Sequence, residues 1–341
     1  MLSDNAQLLL ISLLASIVLT GIYRQLALRY AWLAHVDHRS AHHRATPRSA
    51  GIIIIFLAVV YISYQVAAGA ISGWQCLWLL LPALIGLVGL IDDAWSLSAG
   101  LRLLFYGLLV GAMVLAFAPL APLDLGVFTV QAAVVLVPLY VLVICWWVNL
   151  FNFMDGINGI AGSQFLFVVL AALALQPLNS SPQLELVLVI SAATVGFLCW
   201  NLPRGRVFLG DAGSTFLAAS LAWFALHRIE QGSFSPLLWL ILAACFITDA
   251  SYTLAVRILS DQSWTRPHAS HGYQILARRW RSHSQVVFAV GLVNLLWLLP
   301  LAWLANSYPE YVLALTAVAY APLVVIVARL GAGRSDYQSD D

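Results

Sequence analysis

Apolar residues run in eleven blocks along the chain, near 6–26, 51–71, 74–91, 101–118, 127–148, 159–176, 185–201, 214–230, 235–258, 286–305 and 309–329. Each block is about 17 to 25 residues long, the length a helix needs to cross roughly 30 Å of hydrocarbon, so the blocks read as spanning helices and not as barrel strands. The pattern predicts an all-α integral membrane protein, a polytopic bundle of about 11 transmembrane helices. The first block has no charged segment before it and no small-residue cleavage site after it, so it reads as a retained helix. One membrane domain over residues 1–341 is expected, with connecting loops near 27–50, 92–100, 149–158, 202–213 and 259–285.

The basic residues set the direction of that bundle. All sixteen are arginine. With the N-terminus periplasmic, fifteen of them fall at cytoplasmic ends or loops and only Arg228 falls outside, a strong positive-inside signal. An odd number of crossings then leaves the C-terminus in the cytoplasm. Composition agrees: the 341 residues are 62% apolar and 9% charged, with a mean hydropathy of +0.90, which excludes a water-soluble globular domain. The four cysteines, Cys76, Cys145, Cys199 and Cys245, lack paired spacing, so neither a disulfide framework nor a zinc ribbon is indicated.

That direction gathers the polar residues on one side of the membrane. A transporter would scatter them at the midplane, whereas an enzyme working at the interface would collect them on one face. Asp92 and Asp93 end the third block, "NLFNFMDGINGIAG" joins the fifth to the sixth, "NLPRGRVFLGDAGST" joins the seventh to the eighth, and "DQSWTRPHASHGYQILARRWRSH" joins the ninth to the tenth. The first inside loop, "HVDHRSAHHRATPRSAG", completes the set, while the outside connections are short and chemically plain.

Adjacent residues on a helix point about 100° apart, so Asp92 and Asp93 are expected to divide two jobs, one holding a metal and the other facing a second substrate or the metal's water shell. Two carboxylates at a helix C-terminus oppose the macrodipole and repel each other, a poor arrangement for stability alone. Asn149, Asn152 and Asp155, at i, i+3 and i+6, fall within an arc of about 120° if the fifth helix continues, although loop and cap roles are equally ordinary for these residue types. Asp211 lies between glycines just before an apolar helix, where free N–H groups attract phosphate and a carboxylate can hold Mg²⁺. A plain N-cap accounts for Ser214 or Thr215 as well, but not for Asp211. Phe208 offers a flat face for a base. Arg266, His268 and His271 form a basic patch suited to pyrophosphate, while Arg278, Arg279 and Arg281 are accounted for by topology. Acidic residues, a glycine-rich turn and an Arg/His patch at one membrane face suit phosphoryl transfer between a soluble nucleotide and a phosphate held in the bilayer.

At this point the chain resembles the polyprenyl-phosphate N-acetylhexosamine-1-phosphate transferases. The resemblance rests on "GLIDDAWSL", "NLFNFMDGINGIAG", "RVFLGDAGS" and "RPHASHGYQ", in that order over nearly the whole chain. It implies transfer of a sugar-1-phosphate from a UDP-N-acetylsugar to undecaprenyl phosphate, with Mg²⁺ or Mn²⁺ in its place, and release of UMP. It also implies an all-helical bundle, often a homodimer, in the bacterial inner membrane with the site facing the cytoplasm and no nucleic acid as partner. Asp92 and Asp93 match the family's paired aspartates, and Asp211 its metal-binding aspartate. Asn152 and Asp155, with Asn149 and Asn158 beside them, match the motif that helps bind the nucleotide; Asn201 and Phe208 match positions at the uridine pocket. His42, Thr46 and Arg48 are similar to the family's Thr-Pro-Arg-Gly-Gly stretch and are candidate substrate contacts. Two features, Asn158 in place of a second acid and His268-Ala-Ser-His271 in place of a tight histidine motif, resemble the branch that starts O-antigen synthesis with 6-deoxy-N-acetylhexosamines such as N-acetylfucosamine or N-acetylquinovosamine.

A transporter is the rival from another class, and it would use Asp249, the one acid deep in a helical block, as its ion site. A polar contact between helices is the plainer reading of Asp249. The signature of the CDP-alcohol phosphotransferases, another membrane family with metal-dependent chemistry, is absent.

Overall fold

The computed structural model describes residues 4–30, 32, 46–124, 128–177, 179, 181–232, 234–262 and 268–334. His42 and Arg266 lie outside the described residues. The chain is an all-helical bundle built from α1 (Asp4–Arg29), α2 (Ile52–Ala67), α3 (Gly73–Trp95), α4 (Ala99–Ala116), α5 (Ala133–Phe153), α6 (Ile160–Leu175), α7 (Pro182–Asn201), α8 (Gly210–Glu230), α9 (Pro236–Leu242), α10 (Ala244–Leu259), α11 (Gly272–Trp280), α12 (His283–Val293), α13 (Leu299–Ser307) and α14 (Val312–Leu330). A two-residue hairpin, β1 (Leu123–Asp124) against β2 (Thr129–Val130), is antiparallel with Leu123 opposite Val130, and it delays the start of α5 to residue 133.

Each of the eleven apolar blocks coincides with helix. Among the described residues, seven helices are fit by length and composition to cross a membrane, eight if the bent pair α9 and α10 counts as one span. The other three blocks fall on α2, α6 and α8. With 16 residues each, α2 and α6 span only about 24 Å. Packed against α2, α3, α5, α6 and α9, α8 carries Asp211, Arg228 and Glu230 and buries Ser214, Thr215 and Ser220. The outer helices turn large apolar side chains outward, among them Ile11, Leu108, Leu142 and Leu296, an exposed surface suited to lipid and not to water.

Two blocks that read as single straight helices are not. The ninth breaks at Ala243, where α9 and α10 meet at 78°. The tenth carries one wide turn, Asn294–Leu298, in which hydrogen bonds reach five residues back. The loop expected over 259–285 also contains α11, whose amphipathic nine residues lie between two spans.

Local chemistry explains several boundaries. Ser72 and Gln75 form a reciprocal capping box at the start of α3, and Ser98 accepts from the Leu101 amide to open α4 after only three intervening residues. Ser181 followed by Pro182 begins α7. The helix pair that positions the site is α3 against α8, and it depends on Gly89. A Cβ there would lie 2.3 Å from the Asp211 carbonyl oxygen, so only glycine lets the two backbones approach so closely.

Candidate active site

The close contact of α3 with α8 carries the last turn of one helix to the first turn of the other. Asp92 and Asp93 meet different partners there. Asp93, with its side chain 3% exposed, accepts hydrogen bonds from the backbone amides of Asp211 and Ala212 at 3.1 and 3.3 Å and from the Ser49 hydroxyl at 2.6 Å. The α8 N-terminus has no side-chain cap of its own, so a carboxylate from α3 satisfies its free N–H groups. Gly210 makes room for it: its φ is +74°, and a Cβ would sit 2.5 Å from the Asp93 carboxylate.

Asp92 faces the other way. One of its oxygens accepts the Leu97 amide at 2.7 Å and the other lies 2.5 Å from the Arg102 guanidinium. Asp211 stands between the two arginines: Arg48 reaches it at 3.1 Å and Asp93 at 2.8 Å through the same Nη2, while Arg102 approaches to 3.9 Å. Of the three carboxylates Asp211 is the most open, at 18% of its side chain. Removal from water, the charge on Asp93 and a hydrogen bond with Asp92 outweigh Arg48 and push its pKa up to about 6.

The loop that supplies Arg48 is stitched into place. Phe208 donates its amide to Pro47 at 2.8 Å, Ala50 and Gly51 donate to Phe208 and Leu209 at 2.9 and 3.0 Å, and the Tyr23 hydroxyl donates to the Arg48 carbonyl. Thr46 is buried beside this junction. Phe208 is half-buried in the same segment.

The polar stripe on α5 is only partly directed at the carboxylates. Asn152 accepts from the Ser214 hydroxyl at 3.0 Å and so touches α8 directly. Asp155, just past the helix, has its pKa raised well above the ordinary range by burial and then by the charges of Asp211 and Asp93, which places it in the same electrostatic field. Asn149 folds back onto its own helix, donating to the Cys145 carbonyl at 2.8 Å. Asn158 and Asn201 are buried and hold loops: Asn158 donates to the Pro203 carbonyl at 3.3 Å and Asn201 to the Val207 carbonyl at 2.8 Å.

The histidines stand at the start of α11. Asp249 accepts the Gly272 and Tyr273 amides, both at 2.8 Å, so the deep acid of α10 caps the next helix, the polar contact between helices expected of it. His271 is buried at that N-cap, 3.5 Å from Asp249, and its ring stacks on His268 at 5.0 Å between centroids. Burial, His271 and Arg257 lower the His268 pKa to about 4, leaving it a neutral hydrogen-bonding group. The Tyr273 hydroxyl donates to the Phe153 carbonyl at 2.9 Å and ties α11 to the end of α5.

Among the described residues no three His, Cys, Asp or Glu side chains close around a metal. The donor set nevertheless fits Mg²⁺, which needs only one or two carboxylates and takes its remaining ligands from water and substrate phosphate. Asp211, the most open of the three, is the carboxylate available for that task, while both oxygens of Asp92 are engaged by the Leu97 amide and Arg102. The oxygens of Asp93 are already engaged by the α8 amides, Ser49 and Arg48.

Arg102 and Ser49 are the site residues that sequence reasoning passes over. Arg102 reads as one more topological arginine, yet the Ser98 cap starts α4 so soon after Asp92 that the guanidinium turns back onto it. Ser98-x-x-x-Arg102, separated by four residues from the paired aspartates, was the available signal.

Residues 75–228, which include the paired aspartates, the α5 stripe and Asp211, match the model of glycosyl transferase family 4. The chain is similar to the decaprenyl-phosphate N-acetylglucosaminephosphotransferase of Mycobacterium leprae, with 30% identity over 328 residues, 84% of this chain and 81% of the relative. It is similar also to the probable undecaprenyl-phosphate N-acetylglucosaminyl 1-phosphate transferase of Bacillus subtilis, with 28% identity over 297 residues, 84% and 80% of the two chains. A phospho-N-acetylmuramoyl-pentapeptide-transferase of a Mycobacterium species is 29% identical over 308 residues, 75% of this chain and 83% of the relative. This multi-pass membrane protein therefore belongs to the polyprenyl-phosphate N-acetylhexosamine-1-phosphate transferase family.

Proposed function

We propose that the protein transfers N-acetylhexosamine-1-phosphate from a UDP-sugar to undecaprenyl phosphate, releasing UMP, at the cytoplasmic face of a bacterial inner membrane. The convergence of Asp92 and Asp211 between Arg48 and Arg102 is the observation that carries this reading. In this reading the chain crosses the bilayer eleven times with its N-terminus periplasmic, so that the ends of α3 and α5 and the start of α8 meet the cytoplasm.

The acceptor is mostly dianionic at neutral pH, because a phosphate monoester has a second pKa near 6. It needs little help from a base. The difficulty is bringing two anions together, and Arg48 and Arg102 supply the charge that offsets it. Mg²⁺ held by Asp211, with Asp92 assisting, would neutralise the donor's phosphates and polarise the bond to UMP. Asp93 keeps the α8 N-terminus aimed at the same point. An acceptor oxygen attacks the sugar-bearing phosphorus directly, and the bond from that phosphorus to the UMP oxygen breaks.

In this reading the lipid tail lies between the helices. An apolar cavity of about 430 Å³ runs between α5, α8 and the broken pair α9 and α10, lined by Tyr140, Trp147, Ala222, Ala225, Trp239 and Ile247 among others. Asn158 and the His268 to His271 spacing support a 6-deoxy sugar donor and a role in starting O-antigen or lipopolysaccharide synthesis.

UMP release from a panel of UDP-N-acetylsugars tests the reading, with and without undecaprenyl phosphate and Mg²⁺, beside Asp211→Asn. Release that needs both additions and is lost in the variant is expected. No release with any donor from folded protein in lipid would return the transporter reading, and a trapped phospho-enzyme in single turnover would refute direct attack.

A further inference from the structure

Three irregular features of the membrane region meet at one side chain, Gln164 of α6. The first is the break at Ala243. In an uninterrupted helix the Phe246 amide would serve the Leu242 carbonyl; here it donates to Ala243 at 3.1 Å, as does the Ile247 amide. The Leu242 carbonyl is therefore released into apolar surroundings, and Gln164 meets it with its Nε2 at 3.1 Å. The second feature is the wide turn that begins at Asn294, whose Nδ2 donates to Gln164 Oε1 at 2.8 Å. The third is the burial of this polar chain: Gln164 is 1% exposed and Asn294 2%.

The order of donors along it is fixed. A carbonyl accepts only, so Gln164 must present its NH₂ to Leu242 and its oxygen to Asn294, which must then answer with its own NH₂. Asn294 Oδ1 is left as the unpartnered end. Turning either amide over would set oxygen against oxygen.

The broken helix that Gln164 holds also forms a wall of the apolar cavity assigned above to the acceptor. Trp239, Leu240 and Ala243, at the end of α9, and Ile247, one turn beyond the break, all line it. Gln164 approaches the break from α6 and is not itself in that cavity. We infer that Gln164 is a positioning residue for the polyprenyl acceptor: by holding the released Leu242 carbonyl it fixes the 78° bend, and the bend sets the shape of the groove. Asn294 in turn fixes which way the Gln164 amide faces. This inference rests on the reading that the cavity holds the acceptor's chain, and it reaches beyond it by naming what keeps the cavity in shape.

Gln164→Met keeps the side chain's bulk and removes both polar groups. In lipid nanodiscs, its KM for undecaprenyl phosphate is expected to rise about tenfold, the scale of one unmade buried hydrogen bond. The KM for the UDP-sugar should stay within about twofold, and a short-chain polyprenyl phosphate should lose little, since it leaves the groove at the bend unfilled. Asn294→Leu should shift the acceptor KM in the same direction by a smaller factor, and it decides the matter alone if Q164M does not fold. A purely structural Gln164 would lower thermal stability while leaving the two KM values in their original ratio. Unchanged acceptor KM in folded variants, or equal shifts for donor and acceptor, would overturn the inference. Should the unsubstituted protein itself show no dependence on undecaprenyl phosphate in the same assay, the underlying transferase reading fails instead.

Discussion

Substituting Asp93 and Asp211 separately should change stability in opposite directions, although both are aspartates of one cluster. Asp93→Asn replaces one carboxylate oxygen with an NH₂ group. Whichever way the amide turns, a donor then faces a backbone N–H of α8 or the Arg48 guanidinium, because Asp93 accepts from both sides. One buried donor left unmet costs about 1 to 3 kcal/mol. Loss of the charge that pairs with Arg48 adds to it, and a total of about 3 kcal/mol is expected. Asp211→Asn does the reverse. A pKa of about 6 against an ordinary 3.8 means that ionised Asp211 is disfavoured, first by removal from water and then by the charge of Asp93, at a cost of about 2 kcal/mol after allowance for its partial exposure. Removing that charge relieves Asp92 and Asp93. Thermal unfolding of the two variants in nanodiscs at pH 8 without divalent metal reads the difference: D93N should melt several degrees below the unsubstituted protein and D211N at or above it, while D211N loses UMP release. If D93N melts with the unsubstituted protein, or if D211N falls as far as D93N, the division of labour between capping and metal binding is wrong.

The same raised pKa predicts a pH effect. A carboxyl whose folded pKa lies above its unfolded value costs stability as pH rises from 3.8 to about 6, and over that range it also becomes able to take a cation. Mn²⁺ binding followed by paramagnetic resonance, without acceptor, should weaken as pH falls through about 6, and the limb should move to lower pH as Mn²⁺ is raised; a limb indifferent to metal concentration would count against Asp211 as ligand. Gly89→Ala should cut kcat about a hundredfold with little change in either KM, because the new Cβ meets the Asp211 carbonyl and forces the α8 turn to move. Full activity in G89A would mean that the α3–α8 approach does not set the site.

Legibility followed the range of the interactions. The blocks were readable because burying a helix in lipid demands about 20 apolar residues in a row, a local signal that no tertiary contact can replace. Asp92, Asp93 and Asp211 stood out because charge is expensive beside such blocks. Which neighbours those carboxylates met was not readable: Arg102 and Ser49 approach them only because α4 turns back after the Ser98 cap and because Pro47, Ala50 and Gly51 pair with Phe208 and Leu209. The stripe at Asn149, Asn152 and Asp155 was legible as a pattern, yet only Asn152 bonds α8 directly, since a backbone carbonyl one turn away already satisfies Asn149.

The sequence alone determined that the chain is a helical membrane protein, that three aspartates stand at the ends of its apolar blocks, and which family it resembles. Each depends on residue type and spacing along one dimension. The tertiary structure alone decided that Asp93 serves the α8 N-terminus while Asp92 pairs with Arg102 and Asp211 stays the most open of the three, that Asp249 caps α11, and that the ninth block bends at Ala243. These follow from hydrogen bonds between groups far apart in the chain, for instance 118 residues between Asp93 and Asp211 and 78 between Gln164 and Leu242. Buried donors and acceptors must be paired wherever the fold brings them, and sequence spacing carries no record of that pairing.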